Sequence, residues 1–123
     1  MTFEITLAAE RDIKSILSET LKTFGTRQFA LYRTILNKGV ALVAEDPERP
    51  SSIARPDIAR NVRCFHLELA AGKSGGAAHS LYYMTARLPT GSMGTVILRV
   101  LHERMEPRYK VVRSLKQFRA DEV

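Results

Sequence analysis

Phe3, Ile5 and Leu7 alternate with polar neighbours at the start of the chain, the two-residue period of a half-buried strand over 3–7. From Ala8 the period lengthens. Ile13, Ile16, Leu17, Leu21 and Phe24 recur at helical spacing, while Glu10, Asp12, Lys14, Glu19 and Lys22 take the opposite face. Glu10 and Asp12 fall early in that helix, where its dipole favours negative charge. Gly25 is expected to end it, and Thr26 to cap a second helix with the apolar stripe Phe29, Tyr32, Leu36, Val40 and Val43. Gly39 sits inside this second helix at a cost of about 1 kcal/mol relative to alanine. So short a connection makes the two helices an antiparallel hairpin.

Three prolines make "EDPERPSSIARPD" (45–57) a loop. "NVRCFHLEL" (61–69) and "HSLYYMTARL" (79–88) then read as strands, separated by the glycine-rich turn 70–77. After a second turn (89–94), "TVILRVLH" (95–102) is the most apolar strand and is expected to lie centrally in the sheet. Pro107 suits the first turn of a last helix, in which Tyr109, Val112, Leu115 (or Lys116) and Phe118 approximate one apolar stripe. The order β-α-α-β-β-β-α predicts an α+β fold, with helices packed on one face of a small, largely antiparallel sheet. The first strand is expected to insert beside the three-stranded meander. At 123 residues the chain suits a single domain, 1–123.

Composition narrows the setting. No apolar run approaches the roughly 20 residues of a membrane span. "MTFEITLAAERD" lacks the basic start of a signal peptide. Cys64 is the only cysteine, which rules out an intramolecular disulfide and argues against a thiol-ligated zinc site. The expected compartment is the cytoplasm. The net charge is +6, and between 99 and 119 seven basic residues face two acidic ones, nearly the whole excess. A basic C-terminal region suits an acidic partner, either nucleic acid or an acidic protein segment; a solvated helix face is the plainer alternative.

Candidate chemistry is sparse. "GKS" (72–74) lacks the glycine of a phosphate loop, because Leu67 occupies that position inside a predicted strand. His66, His79 and His102 show no metal-site spacing, so neither metal nor cofactor is expected. Cys64 reads as a small core residue, and Ser80 faces away from His79. General acid–base cleavage of RNA has its parts: His102 as acid or base, Arg63, Arg87, Arg99 and Arg104 as phosphate clamps, and Tyr83 or Tyr109 as hydroxyl donors. The simpler alternative has His102 closing its strand by hydrogen bonding, with Arg104 paired to Glu103, Glu106 or an outside carboxylate.

Three stretches carry a family resemblance. "ITLAAERDIKSILSETLKTFG" resembles the opening of the ParE/RelE toxin superfamily, where a strand leads into a helix of the form A-x-x-D-(I/L). Arg63 with "HSLYY" resembles its middle strands, with His79, Leu81 and Tyr83 in the pattern. "VILRVLHERMEPR" resembles the last strand of ParE, which ends in Leu-His, one further residue and Arg-Met. The similarity spans about residues 2 to 115 and is nearest to ParE.

The resemblance implies a toxin of a bacterial type II toxin–antitoxin module. Such a toxin acts without catalysis, inhibiting DNA gyrase and blocking replication, and a ParD-like antitoxin neutralises it in a hetero-oligomer. Neither a membrane nor a small-molecule substrate is implied. Arg104 and Arg108 are the candidate target contacts. The nuclease branch, RelE, cleaves ribosome-bound mRNA. It would draw on His102, Arg104, Tyr109, Arg63 and Arg99, but residues 45–57 lack the lysines typical of that branch.

Overall fold

A computed structural model describes residues 2–121. β1 (Phe3–Ile5) leads into α1 (Leu7–Phe24) and α2 (Thr26–Glu45). β2 (Ile53–Ala54), β3 (Arg63–His66), the single turn α3 (Glu68–Ala71), β4 (His79–Arg87), β5 (Met93–His102) and α4 (Arg108–Asp121) follow. The five strands form one sheet in the order β1-β5-β4-β3-β2. β1 runs parallel to β5, and every other pair is antiparallel. The α+β class, the helical hairpin and the place of β1 beside the meander are as the sequence predicts.

Several boundaries differ for local reasons. β1 stops at Ile5 because the Thr6 hydroxyl accepts the Ala9 N–H at 3.1 Å and starts α1. Leu7 is therefore helical and exposed, not a strand residue. Thr26 makes no cap; Gly25 joins the helices alone, at φ +88° and ψ −177°, a conformation open only to glycine. The 45–57 loop contains the short edge strand β2. The stretch 61–69 divides after His66, because Leu67 and Ala70 are buried at helical spacing under α2. Gly39 explains its own place: a Cβ there would collide with the Leu67 side chain. At the far end of the hairpin Phe24 is 69% exposed.

The expectation that all helices share one sheet face is wrong. The hairpin packs Leu36, Val40 and Val43 against Phe65, Leu81, Tyr83, Ile97 and Val100. α4 lies on the other face, packing Val111 and Leu115 against Tyr82, Met84, Val96, Leu98 and Leu101. The unbroken apolar runs of β4 and β5 require this, since both of their faces must be covered. The stripe of α4 is accordingly Val111, Ser114, Leu115 and Phe118, and Tyr109 points away, 75% exposed. Ser114 is buried among apolar neighbours because its hydroxyl donates to Leu98 O at 2.7 Å. β5 is interior, paired on both sides, while β4 holds the middle of the sheet.

Candidate functional site at the end of β5

Antiparallel pairing gathers residues that are far apart in sequence. His79 at the start of β4 stands opposite His102 at the end of β5, and His66 at the end of β3 stands opposite Ser80. The three imidazoles thus collect at one end of the sheet. The rings of His79 and His102 meet edge to face, with centroids 5.4 Å apart. Tyr32 reaches in from α2, its hydroxyl 2.7 Å from His79 Nδ1 and accepting the Ala78 N–H at 3.3 Å. Burial, reinforced by the nearby His102, lowers the pKa of His79 to about 4, so it is neutral at physiological pH.

Each of the other two histidines has a local task. His66 Nδ1 accepts the Glu68 N–H at 3.1 Å, and its Nε2 lies 2.6 Å from Glu103 Oε2. That hydrogen bond holds the Glu103 carboxyl below the usual carboxylate range. His102 Nδ1 accepts the Arg104 N–H at 3.1 Å, and His102 O accepts the Met105 N–H, which closes the strand into a turn. Glu103 is bonded to His66 and Glu106 to Arg108. The exposed guanidinium of Arg104 is in no ion pair among the described residues. Met105 beside it is 49% exposed.

The remaining sequence candidates lie elsewhere. Arg63 Nε and Nη2 both bind the Ser52 hydroxyl, at 3.0 and 2.8 Å, which ties β3 to the loop before β2. Arg63 pairs with Tyr83, four residues along β4 from His79, or about 13 Å. Arg99 is held by Asp12 of α1 in a bidentate pair. Tyr109 and Arg108 open α4, and Arg108 is pinned to Glu106 at 2.8 Å, both largely exposed. Arg87 bonds to Gly91 O in the β4–β5 turn, and the Tyr83 hydroxyl donates to Pro47 O. Burial pushes the Cys64 thiol up, away from thiolate chemistry. The sheet therefore brings His102, His79, His66 and Arg104 together, and it directs Arg63 and Arg99 into internal contacts.

Tyr32, His66 and His79 escape sequence reasoning as members of one cluster. The only available signal is their positions at strand ends and on the apolar stripe of α2. Among the described residues no group of His, Cys, Asp and Glu is placed to hold a metal ion, and no helix is long and apolar enough to cross a membrane.

Residues 3–107 match the family model described as ParE toxin of type II toxin-antitoxin system, parDE. The chain belongs to the ParE toxin family. No curated protein matches it. The ParE match runs from the start of β1 through the turn after β5. It therefore takes in the histidine cluster, Arg104 and the Asp12–Arg99 pair, and ends one residue before α4. As a ParE family member, this is a toxin of a type II toxin–antitoxin system.

Proposed function

We propose that this ParE family toxin inhibits DNA gyrase without catalysing a reaction, acts in the cytoplasm, and is held inactive by a ParD-like antitoxin. The family match over residues 3–107 carries this proposal. The end of β5 is the proposed target contact. Arg104 offers a guanidinium in no ion pair among the described residues beside exposed Met105, the pairing of charge and apolar surface common at binding hot spots. Arg108, one turn further on, extends that basic surface. The internal bonds of Arg63 and Arg99 also favour binding over phosphoryl chemistry, because neither guanidinium is free to clamp a phosphate. The test is a supercoiling assay with purified toxin and gyrase. Inhibition with accumulation of cleaved DNA is expected; full activity at saturating toxin would refute the proposal.

The gathering of His66, His79 and His102 next to Arg104 favours a second function, RelE-type cleavage of ribosome-bound mRNA. Cleavage abolished by both His102→Ala and Arg104→Ala would establish it, and intact mRNA during growth arrest would remove it.

A further inference from the structure

Between α4, β1 and the first turn of α1 lies a groove of about 1070 Å³. Arg11 from α1, Arg87 from β4, and Lys110 and Arg113 from α4 line it, and all four residues are exposed. Lys110 and Arg113 are three positions apart and so share one helix face. None of the four cations is in an ion pair among the described residues. Arg87 gives a hydrogen bond to Gly91 O, which does not compensate its charge. Among the described residues Glu4 is the only carboxylate in the lining. Arg99 also borders the groove, but Asp12 holds it.

Like charges gathered from three elements repel one another and attract a partner that supplies negative charge. The size and form of the groove narrow that partner. Its volume of about 1070 Å³ exceeds the roughly 300–1000 Å³ of small-molecule sites. Lys110 and Phe118, both in the lining, are separated by about 12 Å along α4. A single phosphate does not span that length, whereas a chain of phosphates does. Three of the four cations are arginines, whose planar fork binds phosphate oxygens in pairs. Phe118 is only partly buried and adds an aromatic surface on which a base can stack. Lys110, Arg113 and Phe118 lie beyond the stretch 3–107 that matches the family, so the groove is built partly from residues outside that match.

We infer that this groove binds a single strand of DNA through its phosphates, with little regard to sequence. The phosphates run past Arg11, Arg87, Lys110 and Arg113 while a base lies on Phe118. A run of acidic side chains would meet the cations and leave the Phe118 ring unmatched. A duplex would rest only on the rims of the groove. The inference deepens the gyrase proposal, on which it rests for the source of the strand: DNA opened by the enzyme. The toxin then meets protein through Arg104 and DNA through the groove.

Binding is measured on the full-length toxin alone, with a fluorescent single-stranded DNA of about twelve nucleotides. RNA of the same sequence, the matching duplex and polyglutamate of equal charge are the comparison probes. The DNA strand is expected to bind, with log K falling against log salt at a slope of about −3, from about four phosphate contacts at about 0.7 each. Lys110→Ala with Arg113→Ala should weaken binding about tenfold or more and bring the slope to about −1.5. Lys22→Ala with Lys38→Ala removes the same charge from the hairpin, outside the groove, and should change neither. Phe118→Leu, which keeps an apolar side chain in place, should weaken binding about fivefold or more. No binding, equal losses in the two charge variants, or tighter binding of RNA, duplex or polyglutamate would each overturn the inference. If the toxin binds the strand but leaves gyrase fully active, the gyrase proposal falls and the groove stands. In the supercoiling assay the Lys110→Ala, Arg113→Ala toxin should inhibit less while still co-purifying with gyrase; full inhibition by it would exclude gyrase-held DNA as the source of the strand.

Discussion

Asp12 of α1 holds Arg99 of β5 through two hydrogen bonds, at 2.6 and 2.7 Å, and its Oδ2 also accepts the Val100 N–H at 2.9 Å. β1 covers β5 only as far as Ile97, so beyond that point the carboxylate takes the place of a neighbouring strand. Asp12 thus closes a sheet edge and anchors the first helix to it.

Removing this carboxylate strands a half-buried arginine and a main-chain donor. Asp12→Ala is expected to cost about 3 kcal/mol of unfolding free energy. Asp12→Asn keeps an acceptor for Val100 and should cost less. Urea denaturation of both variants checks the order.

The burial of His79, with His102 beside it, makes stability depend on pH. His79 ionises near 6.5 in the unfolded chain and at about 4 in the fold. Between those values the unfolded state binds the extra proton. Its contribution is therefore complete above pH 6.5 and is lost as pH falls towards 4. Tm measured from pH 7 to pH 4 should fall, and His79→Gln should flatten the slope. His102, whose charge also bears on His79, stays in place in that variant.

Gly39→Ala would raise helix propensity in isolation, yet it should destabilise this protein by about 1–3 kcal/mol, because its methyl group overlaps Leu67. The double variant with Leu67→Ala should lose less than the sum of the two single losses, since each change relieves the other. Thermal melts of the single and double variants measure that coupling.

Arg104 makes no ion pair among the described residues, so Arg104→Ala should leave Tm unchanged while lowering gyrase inhibition about tenfold or more. Arg99→Ala should do the reverse, lowering Tm first through the loss of Asp12. Parallel melting and supercoiling measurements on the two variants separate a contact residue from a structural one.

Periodicity alone was enough to predict the hairpin, the meander and the last helix, because burial of a stripe or a face imposes its spacing on the residues themselves. The strand-ending stretch "LHERM" was equally visible along the chain. Partnership was not. Asp12 reads as an ordinary acidic residue near a helix start until Arg99, 87 positions away, is folded against it. His102 suggests a catalytic pair with Arg104 until β4 brings His79 opposite it and the turn takes up its Nδ1. The face that α4 covers depends on what β4 and β5 leave bare, a property of the assembled sheet. Local patterns record which residues must be buried; only the tertiary structure decides which polar groups meet, because those contacts join segments whose spacing in sequence carries no period.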